Sequence, residues 1–448
     1  MKDHSFCIGK HFASSGSAQA EDCLNTALKA HRYIEHFKVL DADGVYWKNA
    51  EDSNIDLGFQ HGSAGIAYFY LQLYKTTHSK EYLQIAQDGF RYVSIHWRSQ
   101  LEMKNPAMKF FEYNFGSGLG GIAKALLVYY QETSDTGALS ALQEIAKEYS
   151  DNAVWSETYV SWTGLPGFAL GDAGIAVVLL SVANVLCDEK LRLLAVAAAK
   201  TISKSIKPDP RGGKSWDIVP AGYTHSFPNF VIGTSGVAYA MSVFYEYTKD
   251  PDFLSITKSA AEYLKAISVQ QKDGFLVPLT SDPNEETFYV GGCHGPGGTS
   301  KVFYQLYRLT GDESYKSDIE NMARGILGLG VPEVQSSGYW NNTCICCGTA
   351  SVLQFYISLY AAFGDAHYLD AAERCAKIIL GEAEEMSDGG VAWPVAEVRL
   401  ESEHVTIDKG YMHGAAGIAS ALLQLYQAQK GTFDWNRLPD DPYPDAIG

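Results

Sequence analysis

The chain has 448 residues, 46% of them apolar, with 28 tyrosines and 20 phenylalanines, so it can bury a large and strongly aromatic core. Its formal net charge of −17 argues against nucleic acid as a partner, because phosphate binding needs a basic face. The N-terminal stretch has no apolar core of signal-peptide length, and no run of about 18 apolar residues could span a bilayer. Half of the 8 cysteines crowd into two short motifs and the rest are scattered. That is the pattern of reduced thiols with a local role, and a cytoplasmic location is expected.

In chain order, an amphipathic helix over Ala18–Val39 precedes the first copy of a glycine motif, His61-Gly62-Ser63-Ala64-Gly65, which opens an apolar helix. Further amphipathic helices are predicted over Lys80–Trp97, Lys190–Ile206, Phe253–Ile267, Tyr315–Leu327 and Tyr368–Leu380. Interleaved with such segments, the glycine motif returns at Gly118, Gly171, Gly233, Gly295, Gly348 and Gly414. The leading glycines are 56, 53, 62, 62, 53 and 66 residues apart, the mark of a repeat architecture. Six copies carry a second glycine three residues on, and the sixth has Ser351 there. The helices that follow the glycines are apolar nearly all round and read as buried; those between are amphipathic and read as an outer layer.

Inner-to-outer turns are short and acidic (Thr310-Gly311-Asp312, Phe363-Gly364-Asp365), whereas outer-to-inner loops are long and aromatic. The long loops therefore gather at the end that carries the inner-helix N-termini, where function is expected. Seven such hairpins can close into an all-α, α/α toroid or stack as an open solenoid. The all-round apolarity of the inner helices favours closure, and no gap between copies is long enough for another domain, so residues 1–448 are expected to form one toroid domain.

The fifth copy begins Cys293-His294-Gly295 and the sixth Cys344-Ile345-Cys346-Cys347-Gly348. Cys293 and Cys346 are 53 residues apart, as are their glycines, so they hold one structural position on adjacent units. Helices packed about 8–10 Å apart let facing thiolates share an ion at a Zn–S distance of about 2.3 Å. Cys347 can supply a third thiolate, leaving one position open as catalytic zinc sites do. Cys344 is read as a non-ligand, and Cys7, Cys23, Cys187 and Cys375 as packing residues.

The seven glycine motifs and the two cysteine motifs together resemble the lanthionine synthetase C-like (LanC-like) family over essentially the whole chain. The resemblance implies an α/α toroid with one zinc ion (Zn²⁺) held by Cys293, Cys346 and Cys347, in a Cys-Cys-Gly variant of the family motif. It implies a lanthionine cyclase that adds a peptide cysteine thiol to dehydroalanine or dehydrobutyrine. The implied substrate is a dehydrated precursor peptide; a dehydratase is a possible partner, since a chain this filled by repeats has no room for one of its own.

The sequence departs from the family where acid–base residues usually stand. Ile232 occupies the position of the usual histidine, and the stretch ending at Leu170 lacks the usual aspartate. The enolate left by thiol addition needs a proton donor. The candidates are His225 and Tyr223, ahead of the fourth copy, and Asp172, inside the third; Asp172 also reads as a first-turn acid facing the helix dipole. In a closed ring the first and last copies are neighbours, so His61 and His413 could face each other; they read as helix-start hydrogen-bonding residues, and His294 as at most a support to the thiols. Trp155, Trp162, Trp216, Tyr289, Trp340 and Trp393 either line a peptide groove or cap the barrel. Two alternatives stay open: a non-catalytic zinc scaffold that binds a modified peptide or partner enzyme, and a transferase using a small thiol such as glutathione. A toroidal glycosidase lacks a carboxylate pair at the motif positions.

Overall fold

The computed structural model describes residues 18–48, 55–101, 110–156 and 159–444. The outer helices are α1 (Ala20–Glu35), α3 (Lys80–His96), α6 (Thr136–Asn152), α8 (Glu189–Ser203), α10 (Pro251–Ala266), α12 (Glu313–Gly328) and α14 (Ala366–Gly381). The inner helices are α2 (Ser63–Thr77), α5 (Leu119–Thr133), α7 (Asp172–Leu186), α9 (Thr234–Thr248), α11 (Pro296–Thr310), α13 (Thr349–Phe363) and α15 (Ala415–Lys430). A single turn, α4 (Phe110–Tyr113), precedes α5. Each inner helix packs on its two inner neighbours and on the outer helix that follows it. The ring closes where α15 packs against both α2 and α1. The expected α/α toroid is therefore what the chain forms, and its last hairpin is assembled from the two ends of the sequence.

Local chemistry explains the hairpins. Every inner helix ends in a left-handed residue: His78, Ser134, Cys187 and Lys249 at φ between 53° and 58°, then Gly311, Gly364 and Gly431. The side chains of Asp135, Asp188, Asp250, Asp312 and Asp365 then accept a backbone N–H and start the next outer helix. This is the use of the short acidic turns. It also places Cys187 in an exposed turn, not in the packed position expected of it, whereas Cys23 and Cys375 are fully buried; Cys7 lies outside the described residues.

The glycine motif solves a packing problem at the opposite end. The second glycine lies against the turn that leads into its own helix, so a Cβ on Gly417 would sit 1.7 Å from the Tyr411 carbonyl oxygen, and one on Gly236 would sit 1.9 Å from that of Phe230. The long loops carry short antiparallel ribbons, six among the described residues. Several loop tryptophans fasten these loops to the outer layer. Trp162, Trp216 and Trp393 donate their indole N–H to the carbonyls of Tyr149, Ile202 and Ile379, near the ends of α6, α8 and α14. Trp216 and Trp393 are buried, so they cap the scaffold, while Trp155 is exposed.

Beyond α15 the chain folds back into the lumen. Tyr68 and Tyr239 donate to the carbonyls of Asn436 and Pro439, Ser300 meets Tyr443 at 2.7 Å, and Lys301 pairs with Asp440 at 3.1 Å. Among the described residues, no helix is long and apolar enough to cross a membrane.

Candidate metal centre

The residues two places before each leading glycine are joined around the barrel mouth by backbone hydrogen bonds. Gly116 N–H donates to Ala169, Ala169 to Val231, Val231 to Cys293, Cys293 to Cys346, Cys346 to Met412 and Met412 to Gln60, at 2.7–3.2 Å. All seven positions line one central cavity of about 220 Å³. The ring is why equal spacing in sequence becomes contact in space: its members follow one another in repeat order, and the two thiols are consecutive members.

Cys347, one residue on, turns toward the same point. The Sγ atoms of Cys293, Cys346 and Cys347 lie within 4.8 Å of one another, a cluster that could hold a metal ion. Cys293 and Cys347 are buried, at 5% and 6% exposure. Asn342 donates its amide to Cys347 Sγ at 3.4 Å and to the Ala396 carbonyl at 3.0 Å, so its own rotamer is fixed. Ser351 Oγ accepts the Gly292 N–H at 2.6 Å and holds the turn that presents Cys293. The only repeat lacking the second glycine thus uses its side chain to brace the neighbouring thiol.

The sulfurs share hydrogen bonds. Burial would raise the Cys293 thiol, but the bonds it receives from Cys346 and Cys347 bring it down to about 5. Cys346 and Cys347 are pushed up, chiefly because they donate to Cys293. Cys344 bonds to Cys347 but is not part of the three-way cluster. His294 packs between Phe227 and Tyr289, at ring distances of 5.0 and 5.4 Å, and burial lowers it to about 4. Tyr289 packs on Trp340 at 5.3 Å beside the cluster; burial, then the nearby Cys293 and Cys347, push its hydroxyl up.

The three sequence-derived acid–base candidates fall in different places. Asp172 is 4% exposed, and its carboxylate accepts from Ser161 Oγ, the backbone N–H groups of Trp162 and Thr163, and Thr163 Oγ1. It ties down its own loop and does not line the central cavity. His225 is partly exposed and lies 3.5 Å from Asp282. Tyr223 is 43% exposed and packs on Phe227, the ring that in turn meets His294. Ile232, one place before Gly233, follows directly on Val231, the ring neighbour of Cys293.

Two histidines approach the cluster from the seventh and first copies. His413, one place before Gly414, contacts Cys346, and His61 Nε2 is 3.2 Å from His413 Nδ1. His61 Nδ1 in turn meets Asp408 at 2.6 Å. The two histidines face each other as ring closure implies, but reading them as helix-start residues missed the contact of His413 with Cys346. The signal was available, since 413 stands to Gly414 as 347 stands to Gly348 and the last copy directly follows the sixth.

A ring of seven helical hairpins with a thiol cluster at the glycine-turn mouth defines a LanC-type toroid. Residues 53–438 match the family model described as lanthionine synthetase C-like protein, and the chain belongs to that family. Among solved structures it is similar to a nisin cyclase, with a TM-score of 0.62 and 14% identity over 92% of this chain and 95% of that one. It is more distantly similar to the GH76A alpha-1,6-mannanase from Salegentibacter sp. HEL1_6, with a TM-score of 0.48 and 12% identity over 91% of this chain and 99% of that one. No curated protein matches it in sequence.

Proposed function

We propose that the protein is a zinc-dependent thioether-forming cyclase that closes lanthionine-type rings in a dehydrated precursor peptide. The observation that carries this reading is the buried three-thiol cluster at the mouth of a LanC-type toroid. The donor set fits zinc, since thiolates prefer it to hard cations and three protein ligands leave a fourth position for substrate. Cys293, Cys346 and Cys347 would hold the ion, which when bound supplies a Lewis acid that keeps a substrate thiol deprotonated at neutral pH.

The chain's own residues do the rest. Asn342 and Ser351 orient Cys347 and the Cys293 turn. A new C–S bond forms at the β-carbon of the dehydroamino acid, and the proton lost by the thiol is balanced by one gained at the α-carbon. For that return we favour the loop bearing Tyr223 and His225, because it runs into Val231 beside Cys293, whereas Asp172 has four donors on its carboxylate. Residues 1–448 act as one toroid domain in this reading, with a dehydratase as a possible partner.

The test is incubation with a dehydrated precursor peptide followed by thiol alkylation. Ring closure protects one cysteine per ring from the alkylating agent without changing the peptide mass. The protection disappears in Cys293→Ala, slows in Tyr223→Phe or His225→Ala, and survives in Asp172→Asn at equal folded concentration. Peptide that binds tightly yet stays fully alkylatable would overturn the cyclase reading. It would favour the second one, a zinc-holding scaffold, which the apolar Ile232 and Leu170 at the usual acid–base places support.

A further inference from the structure

Beside the thiol cluster, and sharing no ligand with it, the first and last repeats bring together a second set of donors. We infer that His61, His413 and Glu397 form a second divalent-cation site, suited to zinc, at the seam where the toroid closes. Their donor atoms lie within 4.8 Å of one another. His61 Nε2 is 3.2 Å from His413 Nδ1, and His413 Nδ1 is 3.8 Å from Glu397 Oε1. Three ligands bound tetrahedrally at about 2.0–2.2 Å are separated from one another by roughly 3.3–3.6 Å. Small side-chain adjustments would bring all three donors onto one ion.

The second shell points the same way. Asp408 Oδ2 meets His61 Nδ1 at 2.6 Å, and Asp408 Oδ1 is fixed by the Gly410 N–H at 3.0 Å. A carboxylate on the far nitrogen is how ligating histidines are oriented, and here it leaves Nε2 as the electron-pair donor that faces His413. The two rings stack at 24° with centroids 4.9 Å apart. Their positions are built by the repeat and not by chance proximity. His61, Cys347 and His413 each stand one residue before a leading glycine, and the Met412 N–H to Gln60 carbonyl bond locks the two histidine-bearing turns together at 2.9 Å.

Charge and access are favourable too. Glu397 is about half exposed, which opens a path from solvent, while His413 is mostly enclosed. His413 touches Cys346, so the two ions would be neighbours. Three thiolates and the carboxylates of Asp408 and Glu397 together outweigh the charge of two dications. A set of two imidazoles and one carboxylate accepts zinc and cobalt readily and differs spectroscopically from a thiolate set.

The site is read as ion binding, so its fate is separate from that of the cyclase reading, which rests on the alkylation assay. The full-length protein, stripped with a chelator, is titrated with Co²⁺ and in parallel with Zn²⁺. We expect about two equivalents per chain, one giving the intense thiolate-to-cobalt charge-transfer band and one giving only weak d–d bands. His61→Ala and the half-exposed Glu397→Gln should each reduce this to about one equivalent with the charge-transfer band intact. Cys347→Ser should weaken the band and keep the band-free equivalent. Wild-type protein that takes up a single equivalent, or a second equivalent that survives both His61→Ala and Glu397→Gln, overturns the inference.

Discussion

Replacing Ser351 by alanine removes one oxygen from the wall behind Cys293 and leaves every Cβ in place. Ser351 is 5% exposed and its Oγ takes the Gly292 N–H at 2.6 Å. Leaving a buried N–H without its acceptor costs about 1–3 kcal/mol. Gly292 is only partly buried, so water recovers some of this and the lower half of that range applies. Alanine returns roughly 0.5 kcal/mol through its better helix propensity. The net expectation is a loss of about 0.5–1.5 kcal/mol, read as a lower urea midpoint at unchanged slope on metal-free protein. The second readout is local: the Gly292–Cys293 turn loses its brace, and zinc affinity, measured by chelator competition, should fall about tenfold, the lower end for a lost outer-shell partner. Ser351→Gly restores the residue that the other copies use, and should be less stable than the alanine variant by up to about 1 kcal/mol. Ser351→Ala with both stability and zinc affinity unchanged would refute the idea that this repeat traded its glycine for a brace on the neighbouring thiol.

Two further outcomes follow from the packing. Gly417→Ala pushes a methyl to 1.7 Å from the Tyr411 carbonyl, in the turn whose Met412 carbonyl receives the Cys346 N–H; it should cost about 3 kcal/mol in a urea melt and weaken metal binding. Gly381→Ala, with nothing within 4 Å, should be neutral or stabilising by less than ~1 kcal/mol. Lys124 is buried in the lumen with its ammonium 4.3 and 4.1 Å from the Phe59 and Phe115 rings, and burial lowers it from 10.5 to about 8. Its folded pKa lies below its unfolded one, so between about 8 and 10.5 the unfolded chain binds more protons and this residue's contribution to stability rises with pH. The difference in unfolding free energy between wild type and Lys124→Met, followed from pH 7 to 11, should shift toward wild type by up to about 3 kcal/mol, and a flat difference would contradict the burial argument.

Much of this molecule is legible in one dimension because its repeat is written locally. Apolar periodicity, the paired glycines and the Asp caps each act within a few residues, so hairpin number, helix order and the gathering of long loops can be read directly. The register of Cys293 and Cys346 is equally local, since each is measured from its own glycine. The tryptophans were less legible, because composition does not say whether an indole faces a groove or an outer-helix carbonyl. Asp172 looked like a site residue for a similar reason: a carboxylate at a helix start has the same sequence whether it faces a cavity or ties down its own loop.

The sequence by itself determined seven hairpins and a shared thiol position on adjacent copies, because those depend on spacing within a repeat. Only the tertiary structure decided what meets across repeats. The backbone hydrogen bonds around the mouth set the copies in order and brought His413 to Cys346 on consecutive copies, and closure of α15 on α1 and α2 brought His61 to His413. The same closure sent residues beyond Lys430 back into the lumen, where Asp440 meets Lys301. Such contacts join residues from tens to hundreds of positions apart, and no local propensity encodes them.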